Sequence, residues 1–137
     1  RDWSSDVCSS DLVTARMTST LDAAALCKMA DRGQITGALV DGPFALDNAI
    51  SPVAAQVKGI SSPVAGRANI LLVPDLEAGN MLAKNLSFLA NADAAGIVLG
   101  ARVPIILTSR ADSVRTRMAS CGVAALYAHA LREAAAE

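Results

Sequence analysis

The sequence predicts an α/β fold with a mostly parallel sheet flanked by helices, and three observations carry that expectation. Apolar runs of four to six residues alternate with helix-patterned stretches of ten or more. The run from Asn69 to Val73 (NILLV) is continuously apolar after its first residue, as in a strand covered on both faces. Turn signals built on Gly, Pro and Asp separate the runs.

Residues 1–12 (RDWSSDVCSSDL) stand apart from the rest. They hold Trp3, the only Trp, with three acids and four Ser. No apolar periodicity runs through them, and they lack the basic start and apolar centre of a signal peptide. All twelve match the in-frame translation of a common sequencing adapter. The expectation is a non-native, disordered leader, a disordered native tail being the alternative. Native sequence then starts at Val13, from a gene that extends further upstream.

The remaining elements follow in order. A helix is expected over 19–32, with Ser19 or Thr20 as its cap and Arg32-Gly33 as its stop. Ala38-Leu39-Val40 reads as a short strand ended by the turn Asp41-Gly42-Pro43. Ser51-Pro52 opens a second helix, since Ser is a favoured N-cap and Pro suits the first helical position, and Gly59 closes it. Residues 61–66 form a loop, 69–73 a buried strand, and Pro74-Asp75 ends it. A helix over 77–90 places Leu82, Leu86 and Leu89 on one side. Two short apolar runs, 96–99 and 104–107, precede a last helix over 113–132, lined on one face by Val114, Met118, Cys121 and Ala125. No internal repeat or linker divides residues 13–137.

Composition narrows the function class. Of 137 residues 53% are hydrophobic and 18% charged, which excludes a disordered chain. Twelve Lys and Arg nearly balance thirteen Asp and Glu, and no basic run appears, so neither nucleic acid nor an anionic membrane is an expected partner. The apolar stretches reach five to seven residues, against roughly 20 for a membrane span. Cys8, Cys27 and Cys121 form no CxxC pair, and their odd count fits reduced thiols in the cytoplasm. One His and no His/Cys cluster give no expected metal site.

In a parallel α/β sheet, ligands bind beyond the carboxyl ends of the strands. There stand Asp41-Gly42-Pro43, then the segment with Asp75, Gly79 and Asn80, then Thr108 to Ser113 with Ser109, Arg110 and Asp112. Together they could form one anion-receptive surface. Each also has a plain structural reading. Asp41-Gly42 is a common turn pair, Asp75 a helix cap, Ser109 a loop serine, and Asp112 or Ser113 the cap of the last helix. No phosphate-loop, dinucleotide or GxSxG signature occurs. Cys121 is expected in the core and His129 at the surface or in packing.

Three blocks then agree in order and spacing: 38–52 (ALVDGPFALDNAISP), 62–80 (SPVAGRANILLVPDLEAGN) and 96–113 (GIVLGARVPIILTSRADS). Together they resemble the phosphate acetyltransferase and phosphate butyryltransferase family. The resemblance implies that residues 13–137 are the C-terminal fragment of a two-domain catalytic unit with its site in the cleft between the domains. Some relatives with this wording are fused behind an enoyl-CoA hydratase module. The implied reaction moves a short acyl group between coenzyme A and inorganic phosphate, with no permanently bound cofactor and a homo-oligomer at full length.

By the same resemblance, Ser109 matches the serine that hydrogen-bonds the reacting thiol or acyl carbonyl, and Arg110 the arginine that holds the phosphoryl group. Asp75, Gly79 and Asn80 fall in the substrate-binding wording. One departure stands out. The acetyl branch carries an aspartate seven residues after the serine, and here that position is Thr116. Asp112 is the nearest replacement as a base, or else a helix cap. A catalytically silent acyl-CoA or phosphate-binding module is the alternative reading. A decarboxylating-dehydrogenase relative is a third, without a convincing set of metal-binding aspartates.

Overall fold

The structure, a computed structural model, describes residues 2–7 and 10–135, with side chains from Ser10 onward. Arg1, Ser9 and Cys8, with the expected state of its thiol, lie outside the described residues. The chain divides into two compact units, Arg1–Met81 and Leu82–Glu137.

The first unit holds β1 (Asp2–Val7), α1 (Thr18–Asp31), β2 (Ala38–Phe44), α2 (Leu46–Ile50), α3 (Pro52–Val57) and β3 (Ile70–Leu72). From it α4 (Leu76–Phe88) runs on into the second unit, with β4 (Ile97–Val98), β5 (Ile105–Ile106) and α5 (Val114–Ala134). The three strands of the first unit pair in parallel in the order β2-β1-β3. Trp3 lies opposite Leu39, and Ser4 opposite both Val40 and Ile70. Among the described residues no helix is long and apolar enough to cross a membrane.

The leader is the first correction. Residues 2–7 were expected to be disordered, yet they form the middle strand. A parallel ladder is made by backbone N–H and C=O groups, so a segment with no apolar alternation still fills the slot between two half-paired strands. The second correction is β2, which runs through Asp41-Gly42-Pro43 to Phe44 instead of ending there. The ladder with β1 shifts register between Ser5 and Val7, and that irregularity absorbs the Gly-Pro step.

Among the residues whose side chains are described, the core of the first unit is Phe44, Ala49, Ala55, Val64 and Ala65, with Leu39, Ile60, Ala68 and Leu71 packed around them. Polar pins supplement it. Ser62 Oγ donates to Asp41 Oδ2 and accepts from the amides of Val64 (3.0 Å) and Ala65 (3.2 Å), tying the 62–66 loop to β2. Gly66 donates its N–H to the Asn48 carbonyl at 2.7 Å with φ +76°, and a Cβ there would meet Pro52 Cα at 2.5 Å. Only glycine meets both demands.

At the helix ends, Ser51 caps α3 with Pro52 at its first position, as expected. For α1 the cap position is Met17, not Ser19 or Thr20. The Thr20 hydroxyl instead donates to Met17 O (2.7 Å) and accepts from Thr14 N–H (2.9 Å), folding the preceding turn onto the helix.

Two expectations about the second unit also change. β4 and β5 pair antiparallel, Ile97 opposite Ile106, rather than joining a parallel sheet. Residues 99–104 are too few for a parallel crossover, which needs a dozen or more, and so make a hairpin. On α5 the buried residues are Ser120 and Ala124. Val114, Met118, Cys121 and Ala125 are exposed, so Cys121 is not a core residue. The helix turns a narrow small-residue face to the hairpin, and its wider apolar stripe has no covering element among the described residues.

Asp11 ties the end of the leader to α2. Its carboxylate accepts from the Ala45 amide at 2.7 Å and the fully buried Asn48 Nδ2 at 2.8 Å, and pairs with Lys58 at 3.5 Å. Burial pushes the Asp11 carboxyl up, but those donors together outweigh it and hold the group below its ordinary 3.8. The folded state therefore binds its proton less readily than the unfolded chain. The stabilisation is full above pH 3.8 and is lost as the pH falls below that value. Asp11→Ala should cost about 2–3 kcal/mol at neutral pH, because the Asn48 amide is left buried and unpaired. Thermal melts should show that difference shrinking toward pH 3; a difference independent of pH would rule out the carboxylate as its source.

Candidate active site

The residues singled out between β5 and α5 come together in one turn of the second unit. Ser109 N–H donates to Asp112 Oδ2 at 2.6 Å, and Asp112 N–H donates back to Ser109 O at 3.1 Å. Ala111 N–H reaches Ser109 Oγ at 3.4 Å. This reciprocal pair closes a four-residue turn with Arg110 and Ala111, both exposed, at its tip. Arg117 Nη2 donates to the Arg110 carbonyl at 3.2 Å, anchoring the tip to the first turns of α5. Among the described residues no carboxylate lies within ion-pair distance of the Arg110 guanidinium.

The cap of α5 is Ser113, whose Oγ accepts from Thr116 N–H at 3.1 Å and lies 3.1 Å from the Thr116 hydroxyl. Asp112 is therefore not the helix cap. Its carboxylate is used on the backbone of the very serine that the sequence singled out. Thr116, where the acetyl branch places an aspartate, carries a neutral hydroxyl engaged with the cap.

Beside the turn lies a hollow of about 410 Å³, lined among others by Ser87, Asp93, Asp112, Ser113, Arg115 and Thr116. Arg115 Nη2 donates to Asp93 Oδ2 at 2.6 Å across exposed surface. Ser109 and Arg110 do not line this hollow. Among the described residues no group of three His, Cys, Asp or Glu could hold a metal ion.

The other residues expected at the site sit in the first unit, at the start of α4. Asp75 Oδ1 accepts from Ala78 N–H at 2.7 Å, so Asp75 does cap the helix. Gly79 lies against the residue that follows β3, where a Cβ would meet Val73 Cγ2 at 3.1 Å, and Asn80 is exposed. His129 is exposed and lies 3.3 Å from Glu133.

Sequence reasoning missed Ser120. It is fully buried, its Oγ donates to Thr116 O at 2.8 Å, and it accepts from Gly96 N–H at 2.9 Å. The available signal was a hydroxyl within the otherwise apolar Met118-Ala119-Ser120-Cys121 stretch.

The family described as "Phosphate acetyl/butaryl transferase" matches residues 6–126. Among curated proteins, the phosphate acetyltransferase of Rhizobium meliloti is 74% identical over 124 residues, covering 90% of this chain and 39% of that protein. A phosphate butyryltransferase of Clostridium beijerinckii is 51% identical, covering 89% of this chain and 40% of the relative. Among solved structures, a branched-chain phosphotransacylase from Enterococcus faecalis V583 superposes with a TM-score of 0.79 at 32% identity, over 90% of this chain and 44% of that one. The fold is thus of the α/β class shared with phosphotransacylases. The chain belongs to the phosphate acetyl/butyryl transferase family, and it spans about two fifths of the length of the relatives it matches.

The reciprocal turn makes a direct expectation for Asp112. Asp112→Asn keeps an acceptor oxygen and should leave the Ser109 amide protected. Asp112→Ala should speed Ser109 amide exchange by about 10–100-fold, since a hydrogen bond to a charged group is lost. Helicity of α5 should hold in both variants because Ser113 caps it. Fraying of α5 in Asp112→Ala, with Ser109 exchange unchanged, would restore the cap reading.

Proposed function

We propose that this chain is the C-terminal fragment (residues 13–137) of an enzyme that transfers a short acyl group between coenzyme A and inorganic phosphate. The single observation that carries the reading is the Ser109–Asp112 turn, whose tip holds a guanidinium with no ion-pair partner among the described residues, in a chain of this family. The complete enzyme has two domains with the site in their cleft, acts in the cytoplasm without a permanently bound cofactor, and assembles as a homo-oligomer.

The chemistry suits these residues. A phosphate oxygen attacks the thioester carbonyl carbon, forming a C–O bond while the carbonyl electrons move onto oxygen. Collapse of the adduct breaks the C–S bond, yielding acyl phosphate and the thiolate of coenzyme A, which then takes up a proton. Arg110 holds phosphate through its two-pronged guanidinium and stabilises the departing thiolate. The Ser109 hydroxyl donates to the acyl oxygen or the sulfur as charge develops there. In the reverse direction the thiol of coenzyme A must ionise. A neighbouring guanidinium lowers a thiol pKa, so Thr116 need not be replaced by a base. Asp112 acts by holding Ser109, and the family resemblance supports a substrate-binding role for Asp75, Gly79 and Asn80.

Phosphate-dependent release of thiol from acetyl-CoA and butyryl-CoA by the full-length gene product tests this. Ser109→Ala should lower kcat by about 10²–10³, the effect of losing one oxyanion donor. Arg110→Lys keeps the charge but loses the fork, and should raise KM for phosphate and lower kcat. Near-wild-type kinetics in both variants would remove these residues from the site. Binding of acyl-CoA with no turnover at all would favour the silent binding module.

We also infer that residues 1–12 are a non-native leader carried over from a sequencing adapter, the support being their twelve consecutive matches. The ladder over residues 2–7 is made by backbone groups, which a segment of foreign origin also supplies, while Asp11 adds side-chain bonds to Ala45 and Asn48. Amplification of the locus from source DNA should give a different sequence before Val13; recovery of the same codons would refute the inference.

A further inference from the structure

Ser120 occupies a position where a small apolar residue would serve packing equally well. Its neighbour on the buried face is Ala124, and Ala is the better helix former. A buried hydroxyl is tolerated only when bonded, and this one is bonded twice, to two different elements. It donates back along α5 to Thr116 O at 2.8 Å and accepts at 2.9 Å from Gly96 N–H, at the entry to β4. Gly96 in turn lies against the chain that leads to the turn: a Cβ there would come within 3.0 Å of Leu107 O. Leu107 is two residues before Ser109, and β4 and β5 are in register through Ile97 and Ile106. One line of close contacts therefore runs from Ser120 through Gly96 to Leu107 and the Ser109–Arg110 tip. The far side of that tip is tied to the same helix by Arg117 on the Arg110 carbonyl.

We propose that Ser120 is a positioning residue for the acyl-transfer site: it sets the distance between α5 and the β4–β5 hairpin, and so the place of Ser109 and Arg110. The proposal rests on the assignment of acyl transfer to those two residues. Positional errors are costly in such reactions, a misplacement of about 1 Å being worth about 10²-fold in rate. Ser120 touches no substrate, so its loss acts on turnover more than on binding.

Two variants of the full-length gene product test it from opposite sides, with phosphate-dependent thiol release from acetyl-CoA as the assay. Ser120→Ala removes both hydrogen bonds. Gly96→Ala keeps them and presses a methyl group toward Leu107 O. Both should lower kcat by about 10–100-fold while the acetyl-CoA KM stays within about threefold. Exchange of the Gly96 amide should accelerate in Ser120→Ala alone. A purely structural Ser120 would instead lower the melting temperature and leave kcat per folded molecule unchanged. Should Ser120→Ala not fold, Gly96→Ala still decides, because it keeps the hydroxyl. Wild-type kcat in Gly96→Ala, alongside impaired Ser109→Ala and Arg110→Lys, overturns the positioning role and leaves the acyl-transfer reading standing. Unimpaired Ser109→Ala and Arg110→Lys overturn the reading itself.

Discussion

The bond from Ser109 N–H to the Asp112 carboxylate, returned by Asp112 N–H to Ser109 O, is the interaction on which the candidate site depends. It closes the chain into a turn between a two-residue strand and a long helix, a place where little apolar packing is available. In the second unit the buried residues of α5 are only Ser120 and Ala124, and α4 has none. Hydrogen bonds therefore do what a core does elsewhere. Asp112 shapes the turn, Arg117 ties down its tip, Ser113 ends the helix beneath it, and Ser120 joins that helix to the hairpin. A carboxylate bonded to a backbone amide is also a charge already engaged, which argues for Asp112 as scaffold and leaves Arg110 as the charge of the turn with no ion-pair partner among the described residues.

The same economy governs the first unit. In a chain with 3% aromatic residues, Phe44 is the one large ring in the core among the residues whose side chains are described, and alanines fill much of the rest. Polar hydrogen bonds take up the difference: half-buried Ser62 on the Asp41 carboxylate and the 64–65 amides, buried Asn48 on the Asp11 carboxylate, and the Gly66 amide on the Asn48 carbonyl. Such contacts are directional, so they fix geometry as well as adding stability. They also give physical content to the 62–66 wording of the sequence, which closes a loop over the junction of α2 and α3. The middle strand shows the converse. A segment with no apolar pattern occupies the centre of the sheet because ladder pairing is blind to side chains.

How much of this was legible varied with the kind of signal. Ser51-Pro52 and Ser113 declared their helices, because capping chemistry is local and survives without tertiary context. The run NILLV declared β3 but not its burial, since Ile70 and Leu72 are exposed, and the Ser109–Asp112 turn was not foreseen, Asp112 having been expected as a base or a cap. The short α2 was invisible, as one turn of helix leaves no periodicity. The Gly-Pro step in β2 was misread because a register shift in a neighbouring strand can absorb it, and a neighbour cannot be read from the strand alone. The apolar stripe of α5 is a genuine sequence pattern that lacks a covering element among the described residues. Ser120 was missed for the opposite reason. Its importance lies in a contact 24 residues away, with Gly96, that no local pattern encodes.

The central claim is that a turn already shaped by Asp112 presents Arg110 to phosphate. Titration of the isotopically labelled full-length gene product with inorganic phosphate, followed by backbone and guanidinium NMR signals, tests it most directly. The account predicts saturable shifts centred on the Arg110 guanidinium and the Ser109–Ala111 amides, lost in Arg110→Ala. Saturable binding that leaves those signals unmoved and shifts residues elsewhere would contradict it.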